Sequence, residues 1–362
     1  MKKTLLATTA LAFVAAHASA VDVDLYGQVN KGLFGYNDGR GTDFVVSDNA
    51  LSSSRLGVKG AQTLDNGLTA SVLFEGEMAS NASDAFTQSS ANGSSGTATT
   101  PASSGAATFS ERQARVGLSG NFGGVYLGKQ STAIDGVLTQ DLAGAQDVMS
   151  ADYARIGGGL KLRQSSNDTF VNAGGTTIGD LTSDLAQSRD DSIRYDSPIF
   201  NGFQARASVA QGGDSEGSVF YDGAVAGLKV KSAAGVRFNN SDTTTAAGSN
   251  PSREYVASVS AAHDSGLAGT LGYTKQDGGT DADAWYAKVG YAWDAYEVAA
   301  DYGKSSDFVT DGNKLNAYGL GAQYNMGNGV SVAGLYRKYD ADVVASSASD
   351  VDLYGVNMRV KF

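Results

Sequence analysis

Apolar and polar residues alternate along many short segments of this chain, and this period of two limits the folds open to it. In the C-terminal segment one face carries Tyr354, Val356, Met358, Val360 and Phe362. The residues between them are mostly polar or small, and the segment from Val23 to Asn30 repeats the pattern. Residues two apart share one face of a β-strand, so both segments are predicted to be strands with one apolar and one wet face.

Short turns alternate with long polar connections along the sequence. Turn signals rich in Gly, Asn and Asp occur at 65–67, 121–124, 201–202, 226–227, 264–266, 293–295 and 325–328. Longer polar connections lie at 78–110, 131–190, 239–252, 305–313 and 339–349. This pattern is typical of a barrel whose two ends face different compartments. We predict an all-β fold of roughly sixteen antiparallel strands that closes on itself, because hydrocarbon offers no partner to an open sheet edge.

The first twenty residues have the features of a secretory signal peptide. Lys2 and Lys3 precede an apolar run over 4–16, and the tripeptide 18–20 (Ala-Ser-Ala) supplies a cleavage site. We therefore predict that residues 1–20 are removed and that residues 21–362 form a single transmembrane β-barrel domain. No later segment is apolar for long enough to form a membrane-spanning helix.

The mature chain is acidic and offers little to an enzyme. Without Lys2 and Lys3 it carries 25 basic and 38 acidic side chains, a net charge of −13, which argues against nucleic acid as a partner. It has no cysteine and a single histidine, His263, so neither a His-dependent triad nor a Cys or His metal site is expected. We predict no enzymatic activity and no cofactor. The acidic pairs at 22–24 and 281–283 leave a Ca²⁺ site as an alternative.

Four arginines fall on the polar face of predicted strands. They are Arg55, Arg115, Arg194 and Arg206, each next to apolar residues that point the other way. Arginine on a lipid face costs about 2–4 kcal/mol near the bilayer midplane, so these side chains are predicted to point into a wet interior. A soluble secreted β-sandwich or lectin, in which the same face is simply solvated, is the alternative.

Several segments resemble recurring stretches of Gram-negative general-diffusion porins. They are VDLYG at 23–27, SRLGVKG at 54–60, VYLGK at 125–129 and IRYDSP at 193–198, together with the closing strand that ends in Phe362. Their order and spacing match over residues 21–362. The resemblance implies a 16-stranded antiparallel transmembrane β-barrel with short periplasmic turns and long extracellular loops, the third of them folded inward. It also implies a homotrimer in the outer membrane, in contact with lipid and lipopolysaccharide.

The resemblance further implies a pore constriction in which a basic wall faces acidic residues of the third loop. The basic-wall positions are Arg55, Arg115, Arg194 and Arg189. The candidate acids, in the segment after Lys129, are Asp135, Asp141, Asp147 and Asp152. This segment lacks the Pro-Glu-Phe-Gly-Gly core of many family members, so which of these acids reach the constriction is left open.

Together these features predict a water-filled channel for passive diffusion of small hydrophilic solutes and ions, with a weak preference for cations because of the net negative charge. One alternative is a substrate-specific channel for sugars or phosphate on the same fold. Such a channel needs an aromatic track, for which Tyr26, Tyr126 and Tyr286 are candidate members, or a basic ladder along the lumen. A second alternative is an outer-membrane enzyme or adhesin, which the strand count and the isolated His263 disfavour.

Overall fold

The computed structural model describes residues 22–88, 108–167, 169–172, 175–182, 189–240, 252–344 and 346–362. The strands are β1 (Asp22–Asn37), β2 (Thr42–Asp48), β3 (Arg55–Thr63), β4 (Thr69–Ala79), β5 (Thr108–Gly120), β6 (Gly123–Ser131), β7 (Arg189–Asp196), β8 (Phe203–Ala210), β9 (Ser215–Val225), β10 (Leu228–Phe238), β11 (Arg253–Ala262), β12 (Leu267–Asp277), β13 (Asp283–Trp293), β14 (Tyr296–Ser306), β15 (Lys314–Gly327), β16 (Val330–Val343), β17 (Ser346–Ser347) and β18 (Val351–Lys361). Two short 3₁₀ turns cover Ala50–Ser52 and Gly179–Leu181. The predicted signal peptide lies outside the described residues. Within the described ranges no helix is long and apolar enough to cross a membrane.

The strands form one closed antiparallel barrel with sixteen wall strands. β2 and β3 pair with the two halves of β1, so together they make one wall strand that residues 49–54 interrupt. β17 is two residues long and pairs with the loop end of β16. The closing contact joins β1 to β18, with Gln28 opposite Lys361 and Asn37 opposite Asp352. The predicted sixteen-stranded antiparallel barrel is thereby confirmed.

The alternation in the sequence separates an apolar outer face from the interior of the barrel. In β18 the outward side chains of Tyr354, Val356 and Met358 are 42%, 54% and 50% exposed. On the inner face of the same strand, Leu353 and Asn357 are buried. The outer face therefore offers hydrocarbon an apolar surface, and the closed ladder leaves no backbone edge of the described strands exposed to it.

Aromatic side chains gather at both ends of this outer face. At the short-turn end, Trp293 stacks on Tyr296 with ring centroids 5.6 Å apart, and Tyr296 stacks on Tyr324 at 4.8 Å. At the loop end, the rings of Tyr302 and Tyr318 lie 5.2 Å apart. Aromatic girdles at both edges of an apolar band are typical of outer-membrane barrels.

Short turns form where the sequence predicts them. Asn201 and Gly202 have φ angles of +50° and +86°, and Ala226 and Gly227 have +50° and +81°. Positive φ at both central residues gives the two-residue hairpins whose twist matches that of the flanking strands. These turns fix one end of the barrel, and the third long connection begins at the other end.

The third loop joins β6 to β7, and its described residues, 132–167, 169–172 and 175–182, fold into the barrel as predicted. Its described part carries apolar side chains that are at most 2% exposed: Ile134, Leu138, Val148, Met149 and Tyr153. Several strands of the facing wall have glycine where the loop approaches. A Cβ atom would come within 3 Å of loop atoms at Gly235, Gly272, Gly290, Gly303 and Gly321. The loop therefore packs directly against the backbone of the wall.

Side chains of the wall bind backbone groups of the third loop. The Leu142 N–H donates to Oγ of Ser260 at 2.9 Å, and the Ala145 N–H donates to a carboxylate oxygen of Glu297 at 2.6 Å. Buried backbone groups need such partners wherever a segment is neither helix nor sheet. These bonds hold the loop in one position across the interior.

Candidate functional site

A narrow space lies inside the barrel between one part of the wall and the third loop. Three arginines border it on the wall side: Arg55 of β3, Arg112 of β5 and Arg189 of β7. Asp135 and Asp141 border it on the loop side. The space between the two sides has a volume of about 330 Å³. We call this region the narrow space.

Glu75 of β4 sets the spacing of the arginines on the wall side. One of its carboxylate oxygens lies 2.6 Å from Nε of Arg112, and the other lies 3.6 Å from Nε of Arg55. The hydroxyl of Tyr26 donates to the same carboxylate at 2.8 Å, and Arg112 also pairs with Glu77 at 3.0 Å. Charge-assisted bonds of this kind hold long side chains in fixed positions.

Arg112 reaches the interior because of a β-bulge in β5. Two consecutive residues of β4 lie opposite Glu111 and Gln113, so Arg112 has no partner in the register. Phe109 and Val116 both point outward, with 67% and 57% exposure, although one position is odd and the other is even. The positions that face inward therefore change from even to odd numbers between these two residues. Strict alternation assigns Arg112 to the lipid face, so Arg112 is not among the predicted basic residues. The change of phase between two outward apolar residues is the signal that could have revealed it.

Two of the four candidate acids lie against the narrow space. Asp135 faces Arg189, with 3.9 Å between carboxylate oxygen and Nη2, and burial raises the pKa of its carboxyl group although Arg189 acts to lower it. Asp141 pairs with the buried Nζ atom of Lys288 at 2.7 Å and accepts a hydrogen bond from Thr270 at 2.6 Å. The negative charge of Asp141 is therefore neutralised by Lys288 of the wall, whereas Asp135 faces the arginines across the narrow space.

The other two candidate acids lie elsewhere on the third loop. Asp147 pairs with Arg359 at 2.6 Å and accepts a hydrogen bond from Ser331, so it ties the loop to the wall. Asp152 pairs with Arg155 at 2.7 Å, and both border a separate space near the loop end of the barrel. The geometry thus brings Asp135 and Asp141 together with the arginines and leaves Asp147 and Asp152 outside the narrow space.

Two of the four predicted basic residues also lie away from the narrow space. Arg55 and Arg189 border it, but Arg115 and Arg194 lie nearer the short turns. The guanidinium carbons of Arg115 and Arg194 are 4.5 and 5.3 Å from the ring centroid of Tyr126. The basic wall therefore has two levels, which alternation along the strands does not distinguish.

The break between β2 and β3 adds a second inward element. Residues 49–54 leave the wall, and Leu51 and Ser52 border the narrow space next to Arg55. The side-chain amide of Asn49 donates to the Asp147 carbonyl at 2.7 Å, which joins this excursion to the third loop. The wall and the loop therefore support each other across the interior.

The residues considered for other chemistry have local partners. Nδ1 of His263 accepts a hydrogen bond from the Ser265 N–H at 3.0 Å in an exposed turn. Oδ1 of Asp281 accepts from the Gly278 N–H at 2.9 Å, also within a turn. Among the residues that the structure describes, no group of three or more carboxylate or imidazole side chains is placed to hold a metal ion.

Comparison with known proteins agrees with this architecture. A family model described as Gram-negative porin matches residues 7–356. The chain belongs to the Gram-negative porins. It is an outer-membrane, multi-pass β-barrel that forms a porin channel, and both the family and the fold indicate a channel rather than an enzyme. No curated protein matches the sequence significantly.

Solved structures show the same fold. The anion-selective porin from Comamonas acidovorans aligns with a TM-score of 0.60 and 18% identity, covering 94% of this chain and 100% of that one. OmpT of Vibrio cholerae, folded in vitro, aligns with a TM-score of 0.61 and 17% identity, covering 96% and 99%. A trimer form of OmpT aligns with a TM-score of 0.59 and 16% identity, covering 95% and 100%. At these identities the likeness concerns the fold alone.

Proposed function

We propose that this porin lets small hydrophilic solutes and ions diffuse passively across the outer membrane, with the narrow space as its size limit. The supporting observation is the juxtaposition of Arg55, Arg112 and Arg189 with the third loop inside a closed barrel. Sixteen strands enclose an aqueous lumen rather than a packed core. Conductance of the purified porin in planar bilayers, measured with neutral solutes of increasing size, tests this. A barrel that inserts but carries no current would contradict it.

The charges around the narrow space favour polar solutes. Arginines on the wall face Asp135 on the loop, so a field runs across the space. Charges separated by less than about 8 Å are poorly screened at physiological salt, and the field therefore acts on whatever passes between them. Water and small polar solutes can align with this field, whereas an apolar solute loses hydration without compensation.

A weak preference for cations is proposed from the net charge of −13, and the arginines of the narrow space oppose it. Replacing both Arg55 and Arg112 with glutamine is expected to raise cation over anion permeability. A unit charge at about 4 Å in water is worth about 1 kcal/mol, or roughly fivefold, so we expect roughly a two- to fivefold shift for each arginine. Reversal potentials in a KCl gradient measure it.

The matched control for these variants is Arg253→Gln, since Arg253 is exposed at the start of β11 and lies outside the narrow space. We expect no shift of the reversal potential for this control. An anion-selective wild-type channel would contradict the proposed cation preference. An unchanged reversal potential in the double variant would remove Arg55 and Arg112 from the selective region.

Selectivity is expected to depend on pH through Asp135. Burial raises the pKa of its carboxyl group, so Asp135 takes up a proton at a higher pH than an ordinary aspartate. The charged groups that face it are Arg189, Arg112 and Arg194. As pH falls through the raised pKa, the narrow space loses one negative charge and anion permeability rises. At neutral pH, Asp135→Asn should already show the raised anion permeability that the wild type shows only at acidic pH. A pH dependence equal to that of the wild type would contradict the role of Asp135.

We also propose a homotrimer, supported by a charged pair on the outer face. Lys31 of β1 and Asp48 of β2 lie opposite each other, with Nζ 2.5 Å from Oδ1; the Asp48 side chain is buried, and the Lys31 side chain is 46% exposed. Charged side chains are costly against hydrocarbon, so contact with a second copy suits this patch better than lipid does. The trimer form of OmpT is consistent with this assembly. Unheated samples should migrate on gels as a trimer that heating dissociates; a monomer band without heating would contradict it.

Lipid and lipopolysaccharide are the proposed partners of the remaining outer surface. The apolar band and its aromatic girdles suit acyl chains. At the loop end, Lys304 and Lys314 are exposed and offer cations to phosphate groups of lipopolysaccharide. Co-purification of lipopolysaccharide with the wild type, and less of it with the double variant Lys304→Gln and Lys314→Gln, would support the contact.

A further inference from the structure

Between the narrow space and the short turns, the porin carries a second group of arginines that the proposed diffusion mechanism does not use. We call it the lower arginine group and define it as Arg115 of β5, Arg194 of β7 and Arg206 of β8. Arg115 lies three residues beyond Arg112 toward the turn that ends β5, which is about 10 Å along a strand. The group therefore occupies its own level of the lumen.

Aromatic rings hold these guanidinium groups in place. Arg115 and Arg194 lie 4.5 and 5.3 Å from the ring centroid of Tyr126, and Arg206 lies 4.0 Å from that of Phe220. Stacking leaves the N–H groups at the edge of a guanidinium able to donate. Arg206 uses Nε and Nη2 to donate to Oε1 of Gln204 at 3.2 and 3.1 Å, and its other N–H groups remain for an anion. The side chains are thus positioned before any solute arrives, which reduces the entropy lost on binding.

The lower arginine group is short of negative charge. Arg194 forms a bidentate pair with Asp196, with distances of 2.9 and 3.0 Å. Within the described part of the chain, Arg115 and Arg206 form no ion pair of their own. Arg194 repels both of them and Asp196 attracts both, and for Arg206 the attraction by Asp196 is the stronger of the two effects. Three guanidinium groups therefore share one carboxylate, and an anion among them would relieve the repulsion.

We propose that the lower arginine group is a binding site for small multivalent oxyanions that carry phosphate or carboxylate groups. The planar fork of an arginine matches two oxygens of such a group, and two arginines without ion-pair partners are present. This inference rests on the proposed function and deepens it, because it names a class of solute that binds transiently inside the channel during its passage. It is compatible with a weak overall preference for monovalent cations, which reflects all charges along the pore.

The test is the block of single-channel KCl current by inorganic phosphate added at the short-turn side, at constant ionic strength. In the wild type, phosphate should reduce the current in a saturable way that equivalent chloride does not reproduce. In the double variant Arg115→Gln and Arg206→Gln, the half-blocking concentration should rise at least about tenfold, because charge-assisted donors to the anion are lost. Asp196→Asn should lower it, since this change removes the carboxylate that competes with the anion.

Arg253→Gln serves as the charge-matched control and should leave the block unchanged, because Arg253 is exposed at the start of β11. Normal KCl current without any phosphate block in the wild type would overturn the binding site and leave the diffusion channel intact. Block that persists undiminished in the Arg115 and Arg206 double variant would also overturn it. A folded wild type without KCl current would instead contradict the proposed function.

Discussion

Replacing Arg337 with methionine is expected to lower the free energy of unfolding by about 3–5 kcal/mol, because it leaves a buried carboxylate without its partner. Arg337 is 1% exposed on the inner face of β16, and its Nη2 atom forms an ion pair with Asp301 of β14. The Tyr286 hydroxyl lies 3.1 Å from the same carboxylate, but this neutral donor cannot balance its charge. The variant therefore retains an unpaired negative charge inside the barrel.

The same arginine also anchors the third loop. Its Nη1 atom donates to the Tyr153 carbonyl at 2.8 Å, and the Tyr339 hydroxyl donates to that carbonyl at 2.7 Å. The methionine variant keeps the second bond and loses the first. We therefore expect the loop to stay inside the barrel but to be held less firmly, with noisier single-channel current as a second readout.

Two further variants identify the cause of the destabilisation. Lys338→Met removes the adjacent pair with Asp350, which is 2.6 Å long with side chains 41% and 46% exposed, and should change the free energy of unfolding far less, because exposed ion pairs contribute little. Adding Asp301→Leu to Arg337→Met should restore most of the lost stability, since replacing a whole buried ion pair by apolar groups is often neutral. Denaturant unfolding in detergent, followed by circular dichroism, measures all three. Equal effects of Arg337→Met and Lys338→Met would contradict the argument.

The barrel itself could be predicted from the sequence because residues close together in the chain determine its strands and turns. Alternation along β18 assigns Tyr354 and Val356 to the outer face from nearest neighbours alone, and turn residues such as Asn201 and Gly202 mark their own hairpins. The inward position of the third loop came from the family resemblance. Nothing in its own sequence shows that glycines of distant strands make room for it.

The composition of the narrow space could be predicted only in part, because it depends on contacts between distant residues and on one irregularity. Asp147 was a candidate acid on equal terms with Asp135, yet its partner Arg359 lies more than two hundred residues away and holds it against the wall. Arg112 was missed because the bulge in β5 reverses the face to which alternation assigns it. Pairing across the barrel and changes of strand phase are properties of the folded chain.

Gly290→Ala is expected to narrow the pore. A Cβ atom at Gly290 would lie 1.7 Å from the Ala143 carbonyl oxygen, and the neighbouring loop atoms are backbone that cannot rotate aside. The loop must shift by at least about 1.5 Å to restore an ordinary carbon–oxygen contact near 3.3 Å. The wall lies behind Gly290, so the shift carries the loop toward Arg55 and Arg189 on the opposite side of the narrow space.

Single-channel conductance measures this displacement, and we expect roughly half of the wild-type value because ions must pass a gap only a few ångströms wide. Gly269→Ala on the neighbouring strand β12 is the matched control: its Cβ would meet one atom, the Lys288 carbonyl oxygen, at an ordinary 3.7 Å. Circular dichroism and heat-dependent gel mobility establish that both variants form barrels. A folded Gly290→Ala porin with wild-type conductance would mean that the loop does not rest on β13. Reduced conductance in Gly290→Ala but not in Gly269→Ala ties the width of the pore to the close approach of loop and wall.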